Sequence, residues 1–286
     1  MRQMPREVAA ELGLETMAIL DRGSYEAPSG RTVDVRTLID AAVSGTVEHP
    51  PEHVFPAVER DTFDTTITVE NAPVLEVGRR LAGSGEVAAL NFASATAPGG
   101  GFLSGAWAQE ESIARSSGLV ACLRGRRFYD FHRAQADGMH SDYAIHSPAV
   151  PIIRLDSGEL LEAPWCLSLI TCAAANARTL ERYAPDRLAE IPTVMAARTR
   201  KVLSLAAHHR HRQIVLGAWG CGAFGIESKL MAGIFHDGLT GDFQGVFERV
   251  VFAITDWSPE RRFSGAFVEV FADSLRPSGS PPAGPR

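Results

Sequence analysis

The chain has 286 residues and a formal net charge of −6, with 45% hydrophobic and 22% charged residues, as in an ordinary globular protein. This acidic balance argues against holding nucleic acid by counterion release, which requires a basic surface. No apolar run is long enough to span a membrane, and the start, MRQMPREVAAELG, lacks the apolar core of a signal peptide. The four cysteines form no C-x-x-C pair, so we expect reduced thiols in a cytoplasmic protein without a zinc site.

The first 60 residues predict an extension built from short elements. Residues 1–22 have the apolar spacing of an amphipathic helix, and residues 24–35 place a Pro-Ser-Gly turn between two extended pieces. Residues 34–45 predict a second helix that ends at Gly45. The proline-rich stretch EHPPEHVFP then indicates a boundary. We therefore expect an N-terminal helical extension over residues 1–60, packed on the part that follows.

From about residue 64, predicted strands alternate with predicted helices. The strands are TTITVEN, EVAALNFAS, SDYAIHSPAVPIIRL, PWCLSLITCAA, QIVLGAWG and FERVVFAIT. The helical segments are APVLEVGRRLAGSG, QEESIARSSGLVACLRG, a long region interrupted or begun near Pro192, and ESKLMAGIFHDGL. This alternation predicts an α/β domain over residues 61–275 with a mixed, mainly parallel central sheet. Residues 276–286, RPSGSPPAGPR, have the composition of a disordered tail.

Two glycine-rich loops each follow a predicted strand and precede a predicted helix. The first contains Gly99, Gly100 and Gly101, and the second is the stretch GAWGCGAFG that begins at Gly217. Glycines let a ligand approach backbone amides, and a helix start adds unpaired N–H donors. A plain strand–helix turn explains the first loop equally well when it is taken alone. Because ligands bind beyond the carboxyl ends of parallel strands, we expect the two loops to form two walls of one cleft.

Glu110 and Glu111 stand side by side at the start of a predicted helix. Neighbours on a helix point about 100° apart, so the two carboxylates can serve two different roles. The alternative is a pair of solvated acids that the helix dipole favours.

Two groups of histidines raise the question of a metal site. His208, His209 and His211 lie at the end of the long predicted helix, where cations suit the helix dipole. The other group, His132, His140 and His146, alternates with aspartates but matches no tight ligand motif. We favour a helix end for the first group and a substrate-side loop or surface for the second, and we predict no metal.

The stretch PGGGFLSGAWAQEE resembles the Gly-Gly-Gly, short spacer, Gln-Glu-Glu signature of the poly(ADP-ribose) glycohydrolases, and GAWGCGAFG resembles their diphosphate-binding loop. The resemblance is to the bacterial-type members and covers roughly residues 60–260. It implies a macrodomain-like three-layer fold and a glycosidase that cleaves ribose–ribose bonds of poly(ADP-ribose) from the chain end, without a cofactor. It also implies ADP-ribosylated proteins as acceptors, a monomeric state, and no membrane or sequence-specific nucleic acid as a partner.

The same resemblance implies roles for individual residues. Glu111 would be the catalytic acid, Glu110 would hold ribose hydroxyls, and Gln109 would order the loop or touch the substrate. The remaining implied contacts are with the distal ribose (Gly99, Gly100, Gly101, Asn91), with the diphosphate and its neighbouring ribose (Gly220, Cys221, Gly222, Ala223, Phe224, Gly225) and with the adenine (Glu70, Asn71). Cys221 has no evident histidine partner, so we expect it to serve as a small residue and not as a nucleophile.

Two other functions remain open at this stage. One is a macrodomain that binds ADP-ribose without cleaving it, and the other is an enzyme that removes a single ADP-ribose from protein or nucleic acid. The adjacent glutamates distinguish the enzymes from the binding module, since a module that only binds ADP-ribose needs the amide loops but no acid.

Overall fold

The computed structural model describes residues 4–83, 86–135 and 137–274. The strands are β1 Ser24–Glu26, β2 Thr32–Asp34, β3 Val47–His49, β4 Thr66–Glu70, β5 Val87–Phe92, β6 Ala144–Arg154, β7 Leu160–Cys172, β8 Gln213–Leu216 and β9 Arg249–Ala253. The helices are α1 Arg6–Arg22, α2 Arg36–Gly45, α3 Val74–Ala82, α4 Gln109–Ser116, α5 Leu119–Leu123, α6 Arg127–Ala134, α7 Ala177–Tyr183, α8 Ile191–His208, α9 Ser228–Thr240 and α10 Ser264–Val270. The predicted tail at 276–286 lies outside the described residues.

The central sheet has seven strands in the order β3-β6-β7-β5-β8-β9-β4. The five strands from β7 to β4 run parallel, whereas β6 is antiparallel to β7 and β3 is antiparallel to β6. The predicted α/β class with a mixed, mainly parallel sheet is therefore confirmed. Parallel strands place their carboxyl ends at one edge, and both glycine loops leave the sheet there, one after β5 and one after β8.

Helices cover both faces of the sheet, which gives three layers. Successive side chains of a strand point to opposite faces, so Leu90 of β5 packs in one core and Ala89 in the other. The first core includes apolar residues of α8, α9 and α10, such as Leu203 and Phe235. The second includes residues of α3, α5 and α6, such as Phe128. This burial on both sides is why the parallel strands are continuous apolar runs.

The extension packs against the back of the first glycine loop. Ile19 and Leu20 of α1 form a third apolar cluster with Phe102, which follows the three glycines. The Nε atom of Arg6 donates a hydrogen bond to the Ser104 carbonyl at 2.8 Å. A Cβ at Gly13 would lie only 2.9 Å from the Phe102 carbonyl oxygen. The helix and the loop are therefore in direct contact, without space for a side chain between them.

Several elements differ from the sequence-based expectation. The predicted Pro-Ser-Gly hairpin is present, with Tyr25 opposite Val33. The stretch taken as a boundary begins within β3, which pairs with β6, so the first 60 residues contribute a strand to the central sheet. The predicted helix after the glycines is broken into α4 and α5 near Ser117, whose hydroxyl donates to the Ile113 carbonyl at 2.7 Å. The division of the chain at residue 60 stays a prediction.

Within 4–83, 86–135 and 137–274, no helix combines the length and apolar character needed to cross a membrane. All four cysteines are free thiols.

Candidate active site

A cavity of about 700 Å³ opens at the carboxyl ends of the parallel strands. Residues that line it include Ser94, Glu110, Glu111, Gly222, Phe224 and Trp257. They come from the loop after β5, the start of α4, the loop after β8 and the segment after β9. The loops after β5 and β8 thus border one site, as their adjacent strands require, although Gly99, Gly100 and Gly101 are not among the described residues that line the cavity. The volume is typical of a pocket for a small ligand.

Gln109 attaches the start of α4 to the end of β5. Its Oε1 atom accepts a hydrogen bond from the Phe92 amide at 2.9 Å, and its Nε2 atom donates to the Leu90 carbonyl at 2.6 Å. The side-chain amide of Gln109 therefore makes two hydrogen bonds to the β5 backbone of the kind that a neighbouring strand would make. Its polar atoms are committed to the backbone, which favours the predicted role of ordering the loop over contact with substrate.

Glu110 is buried, with 3% of its surface exposed. Its Oε2 atom accepts a hydrogen bond from the Ser94 amide at 2.6 Å, and its Oε1 atom accepts one from Asn91 Nδ2 at 3.3 Å. Asn91 also donates to Thr171 Oγ1 at 3.2 Å, so it lies beneath Glu110 in the core of the sheet. Burial raises the pKa of Glu110 to about 8, because desolvation outweighs these hydrogen bonds, which favour the charged form. The carboxyl group is therefore mostly protonated at neutral pH.

Glu111 is partly exposed and joins the first glycine loop to the helix. Its Oε1 atom accepts a hydrogen bond from the Gly101 amide at 2.9 Å, and its Oε2 atom accepts one from the Ala108 amide at 3.1 Å. The second contact caps the helix start, where unpaired N–H groups favour an acceptor. Two backbone donors thus fix the carboxylate at the cavity wall.

The glycines of the first loop make room for these carboxylates. Gly100 has a φ of +59°, and a Cβ there would overlap Oε1 of Glu111. Gly99 has a φ of +75°, and its Cβ would be squeezed to 3.0 Å from Ala114, Phe102 and Val120. The sequence predicted close approach of a ligand to this loop, and the structure shows that the side chains of Glu110 and Glu111 make that approach.

Gly100→Ala is expected to lower turnover at least about 10-fold, because the methyl group must displace Glu111 from the geometry that proton transfer requires. Gly125→Ala is the matched control: Gly125 has a similar φ of +70°, but a Cβ there meets nothing within 4 Å. Both variants carry the backbone strain of an alanine in the left-handed region, and only the first moves the carboxylate. Steady-state kinetics on both folded variants measure the effect. Equal rates for the two variants would contradict this account.

The second loop presents backbone to the cavity through Gly220, Gly222, Ala223 and Phe224. A Cβ on Gly222 would meet nothing within 4 Å, so this glycine borders open space. The other two residues of the predicted binding loop, Cys221 and Gly225, contact other parts of the protein. Gly225, at φ +78°, leaves room for Arg178, and Cys221 is buried with its Sγ atom 3.6 Å from the Trp219 carbonyl oxygen. Burial raises the pKa of Cys221 to about 12, so it remains a neutral thiol.

Gly222→Val is expected to weaken ADP-ribose binding at least about 10-fold, because the side chain would occupy the cavity where phosphate oxygens must approach the amides. Gly83→Val is the control, since a Cβ at Gly83 also meets nothing within 4 Å, and this residue follows α3 away from the cavity. Calorimetry on both variants measures the effect. An unchanged affinity of folded Gly222→Val would move the diphosphate away from this loop.

The structure matches the poly(ADP-ribose) glycohydrolase of Thermomonospora curvata with a TM-score of 0.87 and 44% sequence identity, over 93% of this chain and 100% of that one. The chain belongs to the poly(ADP-ribose) glycohydrolase family. The structure of the Thermomonospora curvata enzyme bound to the inhibitor ADP-HPD matches with a TM-score of 0.84 and 43% identity, over 92% and 99% of the two chains. That of the Deinococcus radiodurans enzyme in complex with ADP-ribose has a TM-score of 0.79 and 37% identity, over 84% and 99%.

The family model described as "Microbial-type PARG, catalytic domain" matches residues 14–155, which include the triple-glycine loop and both adjacent glutamates. A search of curated proteins found no match. The resemblance inferred from the sequence is confirmed at the level of the glycohydrolase family.

The two residues expected near the adenine of this glycohydrolase-family protein are paired with other groups of the protein. Glu70 forms an ion pair with Arg80 at 2.7 Å. Asn71 exchanges hydrogen bonds with the backbone of Asp256, donating to its carbonyl at 2.7 Å and accepting from its amide at 2.9 Å. Neither is among the described residues that line the cavity, but Asn71 fixes the wall that carries Trp257.

Sequence reasoning missed the aromatic and charged residues at the two ends of the cavity. Trp257, Arg262 and Phe263 line the end that follows β9, and Trp257 is 58% exposed. Trp107 and Asp156 line the region beside α4. The signal for the first group was available, since TDWSPERRF directly follows a predicted buried strand whose carboxyl end points to the site.

The histidines agree with the expectations in part: His208 ends α8 and His140 lies in a loop, whereas His132 and His146 do not fit the expected loop or surface. His132 and His146 are buried and do not lie on a surface loop; the Nδ1 atom of His132 is 2.9 Å from the Phe128 carbonyl oxygen. His140 lies near the second glycine loop, with its ring centroid 6.2 Å from that of Phe224. His209 leaves the end of α8 to stack on His146 at 3.6 Å. In the part of the chain that the structure describes, no group of three or more His, Cys, Asp or Glu side chains has a geometry that could hold a metal ion.

Proposed function

We propose that this chain hydrolyses the ribose–ribose glycosidic bonds of poly(ADP-ribose) from the chain end and releases ADP-ribose. The observation that carries the proposal is the arrangement of one cavity: adjacent glutamates on one wall and an open backbone loop at Gly222 on another. The first supplies acid chemistry for a glycosidic bond, and the second supplies amides for a diphosphate. Membership of the glycohydrolase family supports the same assignment.

In the mechanism we propose, Glu111 is the general acid. It protonates the leaving hydroxyl as the distal ribose passes through an oxocarbenium-like transition state. The resulting carboxylate then accepts a proton from the attacking water, so one residue serves both steps. The amides of Gly101 and Ala108 hold its two oxygens in position between these steps.

Glu110 positions the sugar in this mechanism. Burial raises the pKa of its carboxyl to about 8, which favours the neutral form and so limits charge repulsion with the carboxylate that Glu111 becomes after it has donated its proton. A neutral carboxyl offers one O–H donor as well as acceptor oxygens, a suitable partner for ribose hydroxyls. Asn91 and Ser94 orient it through the hydrogen bonds described above.

The proposal also covers the partners and the oligomeric state of the protein. We propose ADP-ribosylated proteins as the acceptors, with the protein acting as a monomer and without a metal or cofactor. The acidic net charge favours recognition of one terminal unit of the polymer by local backbone amides. It does not favour a basic surface that would bind along the whole polyanion.

Incubation with purified poly(ADP-ribose), followed by chromatography of early products, tests the function. ADP-ribose is expected as the main product from the first time points. Early release of oligomers would contradict cleavage from the chain end. An intact polymer, together with tight ADP-ribose binding, would identify a non-catalytic binding module instead.

A further inference from the structure

Trp107 occupies a fixed position beside the catalytic acid. Trp107 lies just before α4 and lines the cavity together with Glu111, which is in the first turn of that helix. The guanidinium carbon of Arg115 is 4.6 Å from the centroid of the Trp107 ring, which is a cation–π contact. Arg115 is only 3% exposed, and its Nη1 atom donates to the Ala106 carbonyl at 2.7 Å. The arginine is therefore a buried support that holds the indole in place.

The indole faces two connected spaces. Trp107, Ser112 and Asp156 line the main cavity, and the same three residues line a smaller recess beside it that also contains Arg115 and Arg154. The Nη2 atom of Arg115 and the Nε atom of Arg154 are buried there without a hydrogen-bond partner. The proposed mechanism assigns no role to this part of the cavity, although it is built from fixed aromatic and cationic groups.

The chemistry of the bond places the departing unit here. A general acid must lie within hydrogen-bond reach of the leaving oxygen, so the nucleoside that carries this oxygen must lie next to Glu111. In poly(ADP-ribose) this leaving hydroxyl belongs to the adenosine ribose of the next unit. Because Trp107 and Glu111 line the same cavity and are only four residues apart in the chain, the indole lies within reach of that adenosine. A base stacks well on an aromatic side chain.

We propose that Trp107, held by Arg115, forms a second nucleoside subsite in which the adenine of the departing unit stacks on the indole. This inference rests on the proposed function and deepens it by assigning a binding site to the leaving side of the bond. The subsite favours a polymer or oligomer, which brings a second adenine, over a substrate with a simple leaving group.

The test compares Trp107→Ala and Trp107→Phe on two substrates. One is poly(ADP-ribose), and the other is an alkyl glycoside of ADP-ribose, whose leaving alcohol needs the same proton from Glu111 but carries no base. Trp107→Ala is expected to raise KM for the polymer about 10-fold, the loss of one stacking contact. Turnover of the alkyl glycoside and calorimetric affinity for free ADP-ribose are expected to stay within about 2-fold. Trp107→Phe, which keeps a stacking surface, is expected to retain most of the polymer affinity.

Other outcomes would overturn the inference in distinguishable ways. Equal losses on both substrates would mean that Trp107 only positions Glu111. A parallel loss of ADP-ribose affinity would assign the indole to the terminal unit. If the unaltered protein cleaved neither substrate, the proposed function itself would fall and the subsite with it, whereas cleavage of both by Trp107→Ala at normal KM would remove the subsite alone.

Discussion

Glu111→Gln is expected to lower poly(ADP-ribose) hydrolysis by at least about 100-fold, the lower end of what general acid–base catalysis contributes. Glutamine retains the shape of the side chain and a carbonyl oxygen for the Gly101 amide, but it cannot donate a proton to the leaving hydroxyl. Binding of ADP-ribose is expected to stay nearly unchanged, because the proposed diphosphate contacts lie on the other loop. Hydrolysis rates and calorimetry on the same folded preparation measure both quantities.

Glu110→Gln is the matched comparison for this variant. Since Glu110 is mostly neutral at pH 7, glutamine replaces a group of the same charge in the same buried position, and the fold is expected to accept it. Turnover is expected to fall through poorer positioning of the ribose, and by less than in Glu111→Gln. Near-normal hydrolysis by Glu111→Gln, combined with an inactive Glu110→Gln, would transfer the role of acid to Glu110.

Acidification from pH 7 to pH 5 is expected to reduce the free energy of unfolding by roughly 4–6 kcal/mol through a buried cluster of three histidines alone. His49, His146 and His211 are buried, and the Nε2 atoms of His146 and His211 are 2.9 Å apart. Burial, together with the neighbouring histidines, lowers the pKa of His49 and of His211 to about 4 and that of His146 to about 2. Lys201, whose Nζ donates to the Pro50 carbonyl at 2.9 Å, adds positive charge near His49.

The direction follows from the lowered pKa values. The unfolded chain protonates these histidines near pH 6.5, whereas the folded protein resists protonation until about pH 4 or below. Their contribution to stability is therefore fully present above pH 6.5 and is lost progressively as the pH falls below that value. Urea unfolding at a series of pH values measures the loss.

One histidine of the cluster can be tested singly. Both ring nitrogens of His49 lack a hydrogen-bond partner, and its ring packs 5.1 Å from that of Phe55. His49→Phe therefore keeps the packing and removes the titrating group, and it is expected to flatten the pH dependence. His236→Gln, at a site 37% exposed, is the control that should leave the pH dependence unchanged. An identical pH profile for His49→Phe would show that the cluster does not govern acid stability.

The sequence predicted the elements that carry strong local signals. The apolar strands β5, β8 and β9 and the loops after the first two were recognisable, because a continuous apolar run followed by glycines is typical of a buried parallel strand and the turn after it. The three-residue strand β3 was not, since its strand character comes from pairing with β6 and not from its own composition. The histidine cluster combines residues from segments more than 150 positions apart, so no local pattern predicts it.

The site was predictable in its residue types and less so in their surroundings. Adjacent glutamates at a helix start indicated two roles, but not which carboxylate would be buried. That depends on Asn91 and Ser94, which reach Glu110 from the end of β5. Trp107 gave no signal of its own, because its position next to Glu111 depends on the contact with Arg115 on the following turns of α4.

The contact between α1 and the first glycine loop has a consequence for how substrate is received. Arg6 holds Ser104, and Gly13 lies against the Phe102 backbone, so residues some ninety positions upstream set the shape of the loop that orients Glu111. A loop held in this way has lost its conformational freedom during folding and does not lose it again at each encounter. The protein therefore offers a preassembled loop to a mobile polymer end, and most of the conformational entropy lost on binding is lost by the substrate.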